Sequence, residues 1–236
     1  MCRPASRRAC LIMVGRQPSG ENALVKPIVA SVLRRYANRM TLNDRSSALS
    51  LLETRRSGKP RDLVGPGPSP EELEQILTIA MRTPDHGKIA PWRFVVIAQD
   101  QRRLLAELLA RALPEQDAGA TAAHYAKALD FAHQAPVMIV LISSPVEGHK
   151  IPVWEQQLSC GAVGMNLLHA SHAMGYVGGW ITGWQAYSPR VTRAFCNEGE
   201  RIAGFIFLGT PANPLEERPR PLLADHVSNW HPPEND

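Results

Sequence analysis

With 236 residues the chain is long enough for one well-buried domain and too short for two full ones. Its 44% hydrophobic and 20% charged content is ordinary for a globular protein, and no apolar run approaches the ~20 residues that a membrane helix needs. The formal charge of +4 misleads, because residues 1–40 hold eight Lys/Arg against one acid; the remainder is mildly acidic and gives no electrostatic case for nucleic acid.

Residues 1–40 read as a basic leader, disordered or lying upstream of the true start, since Met40 is followed by a strong amphipathic opening. Residues 41–236 are then expected to form a single domain. A first helix takes in Leu49, Leu51 and Leu52, runs through residues 54–57 and ends near Gly58 and Pro60. Ser69, Pro70 and Glu72 spell a capping box with proline at the first helical position. Leu73, Ile76, Leu77, Ala80 and Met81 follow at helical spacing, and Pro84 stops the run. Residues 94–98 predict a strand, and residues 101–113 a helix with Leu104, Leu105, Leu108 and Leu109 inward. Residues 122–133 are helical and 137–142 a buried strand. The long helix over 153–174 is rich in small residues, among them Ser159, Gly161, Ala162, Gly164, Ala170 and Ala173, which let another backbone approach closely. Strands at 180–182 and 202–208 complete the pattern. Helices and strands interleave without βαβ spacing, so the fold class is α+β with a mainly antiparallel sheet.

Four polar clusters carry the chemistry. Arg55, Arg56 and Ser57 offer two guanidiniums and a hydroxyl, a set that suits phosphate oxygens, although alone it reads as a solvated helix end. Arg82 and His86 stand in a loop between rigid elements, where function concentrates; an isolated His86 has the plainer reading of a surface or core-satisfied imidazole. The run GGWITG at 178–183 lets a flat ligand or another chain approach the backbone, with a strand entry and a core tryptophan as an even alternative. It is not a dinucleotide fingerprint. Arg218 and Arg220 are held by prolines in an extended segment that alone reads as a solvated tail.

The four cysteines lack CxxC or zinc spacing and read as free thiols in a reducing cytoplasm. His169 and His172 lie three apart on the long helix, but no third ligand is spaced for a metal. No nucleophile or acid–base set is evident, so no protein residue is expected to be catalytic in itself. The chemistry is expected to come from a cofactor.

Taken in order, RRS at 55–57, AMRTPDHGKIAPWRFVVI at 80–97, HKIPVWEQQLSCGA at 149–162, GGWITG at 178–183 and FLGTP at 207–211 resemble the nitroreductase family, in particular its minimal YdjA-like branch. The resemblance spans roughly residues 46–220. It implies a homodimer with FMN in each of two clefts between subunits, reduced by NAD(P)H and reoxidised by a small electrophile such as a nitroaromatic or quinone. Other flavin chemistry on the same scaffold (enone reduction, dehalogenation) and a non-catalytic FMN-binding protein are the alternatives. Carried over by position, Arg55 and Ser57 would hold the FMN phosphate and ribityl end, with Arg56 beside them. Arg82 and His86 would come next along the cofactor, and Trp180, Ile181 and Thr182 would line the isoalloxazine. Arg218 and Arg220 would clamp the phosphate. Ile181 stands where close relatives carry arginine, and Lys59 is a candidate replacement for that charge. No metal, nucleic acid or membrane partner is implied.

Overall fold

The structure, a computed structural model, describes residues 41–232, so the basic leader expected at residues 1–40 lies outside it. Met40–Arg218 forms one compact unit; from Pro219 the chain belongs to a second. In the first unit the elements are α1 (Ala48–Thr54), β1 (Leu63–Val64), α2 (Pro70–Ala80), β2 (Trp92–Ile97), α3 (Arg102–Gln116), α4 (Ala122–His133), β3 (Val137–Ser143), α5 (Val153–Ala173), β4 (Val177–Ile181), α6 (Pro189–Phe195) and β5 (Arg201–Pro211). The described residues of the second unit contribute the one-turn helix Leu223–His226. No helix among the described residues is long and apolar enough to cross a membrane.

Every strand pairing is antiparallel, and β5 is the hub. It pairs with β3 along one side and with β4 and β1 along the other, while β2 flanks β3 as the far edge. The period of two along β3 divides its side chains between two cores. Met138, Val140 and Ile142 face a cluster with α3, α4 and α6. Ile139 and Leu141 face a second cluster with α2 and α5. The fold is thus three layers, helices on both faces of an antiparallel sheet.

The register shifts between Leu141 and Ile142 of β3 opposite the region of Gly204 on β5. The room gained there is filled: a Cβ on Gly204 would fall about 2 Å from Nε1 of Trp180. On the other side of the same indole, a Cβ on Gly164 of α5 would come within 2.7 Å. Trp180 is therefore held between two glycines, and its Nε1 donates to the Ala203 carbonyl at 3.1 Å.

Two expectations are corrected. Leu104 is 54% exposed rather than inward, because the buried stripe of α3 runs through Leu105, Leu109, Ala112 and Leu113. The first helix stops at Thr54 and does not reach residues 55–57. Thr54 turns its hydroxyl back to the Ser50 carbonyl and accepts from the Asp44 amide. Asn43 clamps the main chain of Arg56 with both ends of its amide, at 2.7 and 3.1 Å. That pulls the backbone out of the helix at Arg55, where ψ is 133°.

Candidate active site

The extended stretch after α1 lies against the start of β4. The Gly58 amide donates to the Gly178 carbonyl at 3.2 Å. A Cβ on Gly179 would meet the Gly58 carbonyl at 2.6 Å, so the approach requires glycine. Within this stretch Arg55 Nη2 lies 3.3 Å from Ser57 Oγ, placing a guanidinium and a hydroxyl side by side. Both residues are half-buried. Arg56 turns the other way: its Nε donates to the Glu216 carbonyl at 2.6 Å and its Nη1 to the Ser57 carbonyl at 3.2 Å. Lys59 is exposed at the entry to the turn Pro60–Asp62.

β4 is an edge strand whose inner side is taken by β5. Gly178 turns both main-chain groups outward, the carbonyl to Gly58 and the amide to His172 Nε2 at 3.1 Å. Because main-chain direction alternates along a strand, the next outward pairs belong to Trp180 and then Thr182. Ile181 faces inward with its main chain, and its half-buried side chain packs on the α3/α4/α6 core. Thr182 is half-buried just past the strand, before Gly183 at φ +68°.

The second cluster is fastened to α5. Asn166 Nδ2 donates to the carbonyls of Ile79, Ala80 and Arg82 at 2.8–3.4 Å, closing the C-terminal end of α2. Ser159 Oγ donates to the Pro84 carbonyl at 2.6 Å. His86 Nδ1 meets Glu155 Oε2 at 2.7 Å across an exposed gap. The loop beyond carries three residues in the left-handed region, Gly87, Lys88 and Ala90, and the Ala90 amide is held by Asp85 Oδ2 at 2.7 Å. Left-handed backbone at lysine and alanine stores strain of the kind that clusters at ligand-facing loops. Arg82 and His86 are both exposed.

Helix α5 thus spans the candidate residues on one long element, from Glu155 beside His86 to His172 beside the 55–58 stretch. That is a span of 17 residue steps, roughly 25 Å along the axis. The charge of Arg55 is felt at its far end. It adds to burial in lowering the pKa of His169, and again in pulling His172 down to about 4. Sequence reasoning took Ser159 only as a small residue, weighed His172 only as a metal ligand beside His169, and passed over Asn166; none of the three was read as an anchor for main-chain groups. Only the three-dimensional meeting with backbone groups reveals them. Arg218 is exposed at the end of the first unit, its amide bonded to Glu217 Oε1 at 2.7 Å. Arg220 is exposed in the second unit.

A family model described as the nitroreductase family matches residues 52–210, an interval that includes residues 55–57, the 82–90 loop, α5 and β4. The chain belongs to the nitroreductase family. Among curated nitroreductases, YdjA of Escherichia coli K12, named for NAD(P)H nitroreductase activity, is 40% identical over 169 residues, covering 70% of this chain and 88% of that protein. A Haemophilus influenzae protein with the same kind of name is 37% identical over 176 residues, covering 73% and 93%. Of solved structures, the nitroreductase-like family protein of Bacillus cereus superposes with a TM-score of 0.67 at 19% identity, covering 78% of this chain and 96% of that one. The NADPH:FMN oxidoreductase of Vibrio harveyi, solved with NAD+, superposes at 0.57 and 16% identity, covering 77% and 76%. At these identities the structural matches establish the nitroreductase fold, and the family membership makes the protein an oxidoreductase.

Proposed function

We propose that the protein is an FMN-dependent oxidoreductase that oxidises NAD(P)H and reduces a small electrophile such as a nitroaromatic or quinone, working as a homodimer. The observation that carries this reading is the tether between Gly58 and Gly178. It sets Arg55 and Ser57 at one end of the β4 edge along which the main chains of Trp180 and Thr182 face outward. These residues fit the cofactor. A phosphate of about −1.5 to −2 charge matches a guanidinium that cannot titrate and a neutral hydroxyl donor. The backbone approach that Gly179 permits leaves a strand edge for a flat ring, with main-chain groups able to meet its heteroatoms.

In this reading Arg55 and Ser57 bind the phosphate and ribityl end, and Arg56 braces them through Glu216. Trp180 and Thr182 contribute main-chain groups to the ring, with Ile181 anchoring the strand between them. Arg82 and His86 come from the loop fastened to the opposite end of α5, and Arg218 adds positive charge toward the phosphate. When bound, FMN supplies the two-electron chemistry between nicotinamide and acceptor. The chain itself holds the groups in place, and no side chain serves as a nucleophile.

The test is an absorbance spectrum of the purified protein, followed by anaerobic addition of NADPH and then NADH. Flavin bands that bleach with either nucleotide are the expected result. A protein that is colourless and takes up no added FMN refutes the reading; one that binds FMN but is reduced by neither nucleotide refutes the reductase part alone. The double variant Arg55→Ala/Arg220→Ala should purify largely free of FMN.

A further inference from the structure

His172 is fully buried, yet nothing in the proposed chemistry uses it. It is the penultimate residue of α5, and the short connection to β4 folds Gly178 back over its ring. Nε2 accepts the Gly178 amide at 3.1 Å, so in the neutral ring the proton is on Nδ1. Nδ1 has no hydrogen-bond partner among the described residues. A buried donor left unsatisfied is costly, and a leucine would fill such a place without that cost. The imidazole is therefore poorly explained as filler. Its working atom is Nε2, and the residue it grips is the same one whose carbonyl holds Gly58.

We propose that His172 is the positioning residue of the phosphate-binding stretch: acting through both main-chain groups of Gly178, it fixes Gly58 and with it Arg55 and Ser57. The inference rests on the proposed FMN site and deepens it. The two hydrogen bonds run in series, His172 Nε2 to the Gly178 amide and the Gly178 carbonyl to the Gly58 amide, and they cross from α5 to β4 to the 55–58 stretch. A shift of Gly178 away from His172 moves the acceptor for Gly58 with it, and Ser57 is the adjacent residue. The titratable groups that bear on the ring are Arg55, across from it, and His169 on its own helix. Both disfavour a second positive charge, as does burial, so the ring stays neutral and keeps its lone pair toward Gly178 across the working range of pH.

The alternative is a local clamp that closes the turn between α5 and β4 and has no bearing on ligand. Three variants of the full-length protein separate the two. His172→Gln puts an amide oxygen near the position of Nε2 and preserves the acceptor. His172→Asn is similarly polar but too short to reach. His172→Leu removes the acceptor altogether. Each is titrated with FMN by quenching of flavin fluorescence, and amide hydrogen exchange is followed at Gly58 and Gly178. The expected result is that Leu and Asn weaken FMN binding about tenfold or more and lose protection at Gly58, while Gln stays within about threefold of the parent. If Leu does not fold, the comparison of Gln with Asn carries the test. Equal FMN affinity and equal protection at Gly58 in those two variants overturn the proposal. If the parent protein binds no FMN, the functional reading fails by itself. Exchange at Gly58 then decides the positioning role: protection in Gln and loss in Asn supports it, and no difference overturns it.

Discussion

At the scale of single residues, buried charge and buried neutrality divide the work. Glu200 sits almost fully enclosed and accepts from Arg93 Nε at 2.9 Å, Arg93 Nη2 at 2.5 Å, Ser144 Oγ at 2.7 Å and the Asn197 amide at 2.6 Å. These donors, Arg93 first, hold its carboxyl down to about 2. A carboxyl lowered in the fold stabilises above its unfolded value near 4.5 and loses that stabilisation as pH falls toward 2. His172 acts in a higher window. Its ring is held neutral to about pH 4 while the unfolded chain protonates near 6.5, so stability falls as pH drops from 6.5 to 4. Each effect is on the order of 3 kcal/mol. Denaturant melts between pH 7 and pH 3 should show two successive losses; His172→Gln should flatten the upper one and Glu200→Gln the lower. If neither variant changes the profile, these assignments are wrong. None of this was legible in the sequence. Glu200 follows Asn197, Glu198 and Gly199 in a stretch without helix or strand periodicity, and its distant partners are Arg93 of β2 and Ser144 just past β3.

At the scale of elements, α5 shows what the sequence could and could not say. Its abundance of small residues predicted close approach of another backbone; at Gly164 it is instead the side chains of Trp180 and Leu141 that come close. Gly161, one turn earlier, has nothing within 4 Å of an added Cβ. The two glycines look alike in sequence and differ in what stands opposite them. Gly164→Ala should cost about 2 kcal/mol through the displaced indole. Gly161→Ala should be neutral or gain up to ~1 kcal/mol in the isolated subunit, since alanine favours helix. Thermal unfolding of both checks this, and a larger loss at Gly161 would overturn it. The helices and strands with a clean period were readable in advance, including the capping box at Ser69, where both reciprocal bonds form. The exit at Thr54 was not, because Asn43, 13 residues from Arg56, ends that helix. The four polar clusters were visible as residue types, while the placing of the first three along α5 depended on main-chain groups that no side-chain pattern encodes.

At the scale of the whole molecule, α5 leaves an apolar stripe uncovered. Trp154 is 67% exposed and Leu158 54%, and Ala162 continues the exposed line at helical spacing, beside the half-buried Gly161. Leu49 and Leu52 of α1 are exposed as well. A stripe of this kind is unusual on a solitary subunit and fits the proposed homodimer. Trp154→Glu combined with Leu158→Glu should yield a monomer by sedimentation, with its helical content retained. A double variant that still sediments as a dimer would exclude this face as the interface.

The way α5 holds its neighbours has a consequence for how such a protein can change over generations. Ser159, Asn166 and His172 all reach main-chain atoms: the Pro84 carbonyl, the carbonyls of residues 79, 80 and 82, and the Gly178 amide. An anchor that grips only backbone does not depend on which side chains the held segment carries. Side chains of the held loop that take no part in the mooring, Lys88 among them, can therefore be exchanged while the loop stays in place, on a helix that does not have to be rebuilt each time.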